Sequence, residues 1–253
     1  MTWFQTEDVG DGVTLVTEPH AAEFIRGNFF IVDCSDATLL VDSGLGLASI
    51  VTELPGEMRG SVTLVLTHAH NDHRGGAPEF DVRLAHHLEQ DVLSVRVHGR
   101  TRPGDWPAEN LRAARTSGYT FPSYMLARSP HPGFDPDDYW LEPAPATAFV
   151  DEGDRFAVGS REFTVLHLPG HTPGGIGLIE EDTGVFFSGD LLYDGPLVDG
   201  LPESNAADFA ASVARIRDLP LRRLHGGHGP SVSHDQAVEL ADRYLARTEG
   251  AAP

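Results

Sequence analysis

Residues 67–73 read Thr-His-Ala-His-Asn-Asp-His (THAHNDH), and their reading decides the fold. His68, His70, Asp72 and His73 stand within six residues. Imidazole and carboxylate are good ligands for Zn2+ and related divalent ions. If the backbone is extended and then turns, His68 and His70 share one side, while Asp72 and His73 face a second point close by. The preceding run, VTLVLTH (62–68), is almost continuously apolar, as in a strand buried on both faces. That strand delivers the cluster at its C-terminal end.

Three later segments add ligands of the same kind. PGHTPGG (169–175) puts His171 in a tight loop after a strand, FFSGD (186–190) puts Asp190 at a strand end, and HGGHGP (225–230) puts His228 between glycines. Small neighbours let the backbone approach closely in each case. A glycine-flanked histidine alone is usually a loop residue; the ordered set is specific.

The rest of the chain supplies a frame for these loops. GVTLVTE (12–18), FFIVDC (29–34), TLLVDSG (38–44) and VRLAHH (82–87) read as strands. Residues 155–168 and 175–190 read as hairpins turning at Gly159-Ser160 and at 181–184. Helical character is expected at 45–54, near 87–95, near 107–116, at about 205–218 and near 233–248, the last with Ser233 as N-cap. Strands followed by helices, twice over, suggest two similar α/β halves. Residues 96–148 change character, being rich in Arg, Pro and aromatics, which argues for an ordered lid or substrate wall.

Composition excludes several classes. The chain has 253 residues and a formal charge of -20, and all 18 of its basic residues are arginine. Without lysine there is no Schiff-base chemistry, and without a basic stripe there is no general nucleic-acid binder. Bound cations would offset part of the negative charge. No apolar run is long enough to suggest a membrane span. The first residues, MTWFQTEDVGDG, do not read as a secretory signal, so a cytoplasmic enzyme is expected. The single cysteine, Cys34, sits in a strand and reads as a small buried thiol.

The ordered set H-x-H-x-D-H, His, Asp, His resembles the metallo-β-lactamase superfamily from about residue 12 to residue 235. The resemblance implies a four-layer αβ/βα sandwich of α/β class, one domain over 1–253 with a lid-like insert at about 96–148. It implies two divalent metal ions, Zn2+ first, with Mn2+ or Fe2+ as alternatives. His68, His70 and His171 match the first ion's ligands, Asp72, His73 and His228 the second's, and Asp190 the bridge. Asp42, in LLVDSG (39–44), matches a carboxylate that orients a ligand histidine; locally it reads equally well as a turn former. True β-lactamases of this fold lack the bridging aspartate.

Two such ions hold a hydroxide at neutral pH and polarise a carbonyl, and Asp72 can take or return a proton. The phrase GDLLYDGPLVDGLPESN (189–205) is most similar to the acyl-CoA hydrolase (thioesterase) branch. Related lactonases carry a tyrosine at the spacing of Tyr193 from Asp190, which implies that Tyr193 contacts the substrate carbonyl, unless it only packs in a loop. Trp106, Tyr119, Phe121 and Tyr124 are expected to wall an acyl chain, with Tyr139 as a further candidate. Arg96, Arg100, Arg102, Arg112, Arg115 and Arg128 form a local basic excess able to meet phosphates. The expected substrate is a small acyl thioester, linked to coenzyme A or a carrier, with no nucleic-acid or membrane partner and no assigned oligomeric state. The alternative is a lactonase or other carboxylic ester hydrolase; a phosphodiesterase or a one-iron persulfide dioxygenase is more remote. His86 and His87 read as scaffold at a strand end, His167 as ordering the PGH loop, and His225 as loop structure or support behind His228.

Overall fold

The computed structural model describes residues 2–249. Six strands come first: β1 (Gln5–Asp8), β2 (Val13–Thr17), β3 (Phe29–Asp33), β4 (Ala37–Val41), β5 (Ser61–Val65) and β6 (Val82–Ala85). β7 (Val97–His98) and β8 (Trp140–Leu141) pair with each other, and β9 (Ala148–Phe149) returns to complete a first sheet ordered β1-β2-β3-β4-β5-β6-β9. The second sheet runs in chain order through β10 (Arg155–Val158), β11 (Arg161–His167), β12 (Ile176–Glu180), β13 (Val185–Gly189), β14 (Arg223–Gly226) and β15 (Val232–Ser233). β4, β5, β6 and β9 are mutually parallel, as are β13 and β14; the other pairs are antiparallel.

Alternation along single strands builds the layers. Phe30 and Val32 of β3 point between the sheets, where they join Val165, Leu178 and Phe187. Phe29 and Ile31 point the other way, onto Leu64, Leu66 and Ile50. On β13, Phe187 faces the first sheet while Phe186 faces Phe209 and Val213 of α5 (Ala206–Arg217) and Ala241 of α6 (His234–Glu249). Two sheets thus lie face to face with helices outside each, a four-layer sandwich. Fully burying one such side chain contributes roughly 1.5–3 kcal/mol. Because both faces are buried, a one-residue slip would exchange every inward side chain for an outward one, so the register is strongly specified.

The expected hairpins are present at β10–β11 and β12–β13. The final helix has its Ser233 cap. Ser233 Oγ accepts from Gln236 N at 3.4 Å while Gln236 Oε1 accepts from Ser233 N at 2.9 Å, a reciprocal capping box. The helix expected at 45–54 shrinks to α1 (Ile50–Glu53). Gly44 and Gly46 have positive φ, and a Cβ on Gly46 would strike the Gly75 backbone, so this segment is a close-packed loop. The helix near 87–95 divides into a 3-10 turn, His87–Glu89, and α3 (Gln90–Leu93). β1 was not legible, since QTED is exposed and has no apolar alternation. Cys34 is fully buried. Among the described residues, no helix is long and apolar enough to cross a membrane.

The 96–148 segment has regular elements of its own. It holds β7, β8, β9 and α4 (Ala108–Ser117), and it packs on the first core through Met125, Leu126, Tyr139 and Leu141. α2 (Asn71–Arg74) is the single turn that follows β5, so the backbone at 67–73 extends and then turns.

Candidate metal centre

The seven ligand candidates converge at one edge of the two sheets. Ligand atoms of His68, His70, His171 and Asp190 lie within 4.8 Å of one another, and those of Asp72, His73 and His228 form a second such group. Asp190 faces both groups. Its Oδ2 is 3.4 Å from His171 Nε2 and 3.3 Å from His228 Nε2, while its Oδ1 is 3.4 Å from His73 Nε2.

The outward nitrogen of every histidine is tied to an acceptor, and this fixes what the inward one can do. His73 Nδ1 donates to Asp42 Oδ2 (2.9 Å), His171 Nδ1 to Val198 O (2.9 Å) and His228 Nδ1 to Arg26 O (3.1 Å). His70 Nε2 donates to Glu203 Oε1 (2.8 Å). Thr67 Oγ1 gives its own proton to Asp42 Oδ2, so it accepts from His68 Nδ1 at 3.0 Å. Each ring is thus positioned to offer its other nitrogen to an ion: Nε2 of His68, His73, His171 and His228, and Nδ1 of His70. His70 Nδ1 is 3.1 Å from His68 Nε2 and 2.9 Å from His171 Nε2, spacings that suit a shared cation. His73 Nε2 and Asp190 Oδ1 are buried with no hydrogen-bond partner, as ligands awaiting an ion are. The residues present fit divalent metal ions in both groups.

The electrostatics divide the same way. Burial pushes His68 far below the usual histidine range and His171 down to about 4, with neighbouring imidazoles adding to the effect. Burial also opposes a charge on His73, but Asp190, Asp72 and Asp42 outweigh it and lift the imidazole to about 10. Asp190 is buried too, which favours its acid, yet His228 and His73 hold it well below the carboxylate range. The group of Asp72, His73 and His228 is thus a focus for positive charge.

Asp42 accepts from one of the candidate ligand histidines. It adopts φ +62, a left-handed backbone unusual for a non-glycine residue, and accepts from Thr67 N, Thr67 Oγ1 and His73 Nδ1. Other supporting residues had no readable signal. Glu89 accepts from Ala69 N and Gly174 N, tying two ligand loops together. Asn28 Nδ2 donates to Gly226 O and Gly229 O, fixing the loop of His228. A Cβ on Gly27 would strike Asp72 O, and one on Gly227 would strike Asp190 Oδ1. His225, in contrast, stacks between Phe30 and Phe187 and bonds Ser231, so it belongs to the core.

A cavity of about 360 Å3 opens onto the cluster. Of the expected wall, Trp106 and Tyr119 line it together with Phe24. Phe121 and Tyr124 do not: Phe121 packs edge-on against Phe24 from behind, and Tyr124 packs on the first core. Tyr139 is buried and donates to Leu45 O. Of the arginines, only Arg100 lines the cavity, stacked 4.7 Å from the Trp106 ring centroid. Arg96 pairs with Glu142 and Arg102 with Asp137, outside the lining. Tyr193 lies beside His228, 5.1 Å between ring centroids, but its hydroxyl donates to Pro196 O at 2.6 Å. A phenol has one proton, so in this arrangement Tyr193 is no free donor. Tyr193 Oη is then left to accept, and Tyr119 Oη, 3.2 Å away, gives its proton there.

Comparison with known proteins agrees with this geometry. The family described as "Metallo-beta-lactamase superfamily" matches residues 23–233. Acyl-coenzyme A thioesterase MBLAC2 is 28% identical in Homo sapiens and 30% in Gallus gallus, covering 98% of this chain and 88% of each relative. Hydroxyacylglutathione hydrolase GloC of Haemophilus influenzae is 30% identical over 66% of this chain and 68% of its own length. The crystal structure of TTHA1623 in a di-iron-bound form superposes with a TM-score of 0.58 at 25% identity, covering 87% of this chain and 96% of that one. The chain belongs to the metallo-beta-lactamase superfamily, as one of its hydrolases.

Proposed function

We propose that the protein hydrolyses an acyl thioester whose thiol is coenzyme A or an acyl carrier, using two divalent ions, Zn2+ foremost. The observation that carries this reading is the cavity. Its floor is the ligand cluster, its wall is largely apolar through Phe24, Trp106, Val198 and Leu201, and its one arginine is Arg100. Pockets of this size and character take small organic ligands with a few fixed polar contacts. The thioesterase relatives, matched along nearly the whole chain, point the same way.

Bound ions would supply hydroxide at neutral pH and polarise the carbonyl. The chain's own residues do the rest. His68, His70 and His171 hold one side of the centre, Asp72, His73 and His228 the other, and Asp190 spans them. Asp72 takes the proton of the attacking water. As the new C–O bond forms, the carbonyl pair moves onto oxygen, where the Tyr119 hydroxyl can donate by turning from Tyr193 Oη. Burial raises both phenols well above their ordinary range, so both stay protonated. The C–S bond then breaks with its pair on sulfur. A thiol of pKa about 8.5 leaves as thiolate with little need of an acid. Arg100 faces an anionic part of the substrate.

The test is a hydrolysis screen of the metal-replete protein against acyl-CoAs, lactones and phosphodiesters, with thiol release followed by a chromogenic disulfide. Thioesters should exceed lactones at least tenfold in kcat/KM. Lactone turnover without thiol release would move the reading to carboxylic esters. Arg100→Met should raise KM for an acyl-CoA and leave an uncharged N-acetylcysteamine thioester unaffected.

A further inference from the structure

Arg74, next to the candidate ligands Asp72 and His73, is a buried charge with no part in the chemistry of the centre. Its side chain is 2% exposed, and among the described residues no carboxylate pairs with it. The guanidinium donates instead through Nη1 to Val92 O at 2.6 Å and through Nη2 to Val95 O at 3.3 Å, while its Nε is buried without a partner. A guanidinium keeps its charge even where burial opposes it. Burying a charge without an opposite one costs stability, and an apolar side chain of like volume often costs less. What the arginine adds is a planar fork aimed at two carbonyls.

Those carbonyls belong to the root of the cavity wall. Val92 lies in α3 and Val95 just beyond it; Val92, Val97 and Arg100 line the cavity above a floor that includes His70 and Asp72. α3 is weakly packed: of its four residues Leu93 alone is buried, and Val92 and Val95 are about half exposed. Two of its ties run away from the floor, from Ala144 N to Leu93 O and from Ala146 N to Gln90 Oε1. Glu89 fixes the start of α3 to the ligand loops, and Arg74 ties its end to α2. We propose that Arg74 is a positioning residue, which sets the distance between α2 and the wall of Val92 and Val97 and so the size of substrate that the cavity accepts.

α2 itself does not depend on Arg74. Ser43 donates to His73 O through both N and Oγ, Gly75 N donates to Gly44 O and Gly76 N to Ser43 O, and Asp42 holds the His73 ring. The guanidinium therefore reaches from a turn fixed on its other side to a wall with little packing of its own. Its loss frees the wall and leaves the candidate ligands in place.

The choice of substrate for the test rests on the thioesterase reading; the exchange measurement does not. Wild type, Arg74→Met and Arg74→Lys are compared, all metal-replete. Amide hydrogen exchange read by mass spectrometry should be about tenfold faster or more at residues 92–97 in Arg74→Met and unchanged at 67–73. Metal content by elemental analysis should stay at the wild-type level. KM for the best thioester should rise about tenfold with kcat within about twofold, and the preference between an acetyl and a bulkier acyl thioester should shrink. Arg74→Lys, with a single point donor in place of the fork, should fall between the two in exchange and in KM.

An arginine that serves folding alone would lower Tm, speed exchange throughout and leave KM and selectivity unchanged, and that result overturns the proposal. Loss of metal with kcat down at constant KM also overturns it, because it places the role of Arg74 in the ligand turn. Should the substrate be a lactone, the thioesterase reading falls, while the same exchange and KM changes, measured with that lactone, still decide on Arg74.

Discussion

Gly227→Ala adds one methyl group to the most crowded point of the centre. That Cβ would stand inside the envelope of Asp190 Oδ1 and 2.9 Å from His73 Cε1, where ordinary contact begins at 3.4 Å. Gly227 does not need a left-handed backbone, so the effect is one of space alone. His73 cannot yield easily, being fully buried and held by Asp42. The Asp190 carboxylate must therefore move aside by about 1 Å or more, away from the position that spans both ligand groups. A displacement of that size at a reacting centre costs about a hundredfold in rate. Overpacking of this kind also costs about 1–3 kcal/mol of stability. We expect folded protein with bound metal below the wild-type content and kcat for the best thioester down about a hundredfold. Gly56→Ala is the control, since a Cβ there meets nothing within 4 Å. The measurements are steady-state thiol release, elemental analysis and thermal unfolding. Wild-type kcat with full metal content in Gly227→Ala would refute the placement of Asp190 between the groups.

Asp190→Ala should lose bound metal and reduce hydrolysis below a hundredth, read by elemental analysis and thiol release. Tyr119→Phe should lower kcat about tenfold with metal content unchanged, because a donor sharing its role with an ion matters less than the 10²–10³ of a sole donor; Tyr193→Phe should lower it less, and the opposite order would return the donor role to Tyr193. Glu18 is buried, accepting from Trp3 Nε1 and Leu45 N, and burial lifts its carboxyl to about 7 from 4.5. A raised folded pKa gives stability that is full below pH 4.5 and lost as pH rises through 7, about 3 kcal/mol in all. Glu18→Gln should therefore gain on wild type by about that amount between pH 4.5 and 8 in urea unfolding, and parallel pH profiles would count against it.

What was legible is what side-chain type alone carries. THAHNDH, PGH, SGD and HGGH put imidazoles and carboxylates at strand ends, and apolar runs with period two on both faces dictate two covered sheets. What was not legible depends on partners without a side-chain signature. The acceptors behind His171 and His228 are the backbone carbonyls of Val198 and Arg26, which any residue could provide. Trp106 and Phe121 look equivalent as composition; only their packing around Phe24 puts Trp106 in the cavity wall and Phe121 behind it.

One feature of the centre nevertheless follows from spacing. His68 and His70 are two residues apart on extended backbone, so their Cβ atoms leave from the same side, about 6–7 Å apart. For both to reach one point, a ring whose Cβ is farther away must use its far nitrogen, and a nearer one its near nitrogen. The arrangement obeys this: His68 offers Nε2 and His70 offers Nδ1, 3.1 Å apart. His70 consequently turns Nε2 outward, where Glu203 rather than a backbone carbonyl accepts its proton at 2.8 Å. Glu203 also lines the cavity, so the carboxylate that orients His70 itself stands beside the substrate space. Glu203→Gln retains an acceptor oxygen but removes the charge that makes His70 a stronger ligand. It should weaken metal affinity about tenfold, measured by competition with a chelating dye, with the fold intact. Unchanged affinity would mean that His70 is held by the H-x-H spacing alone.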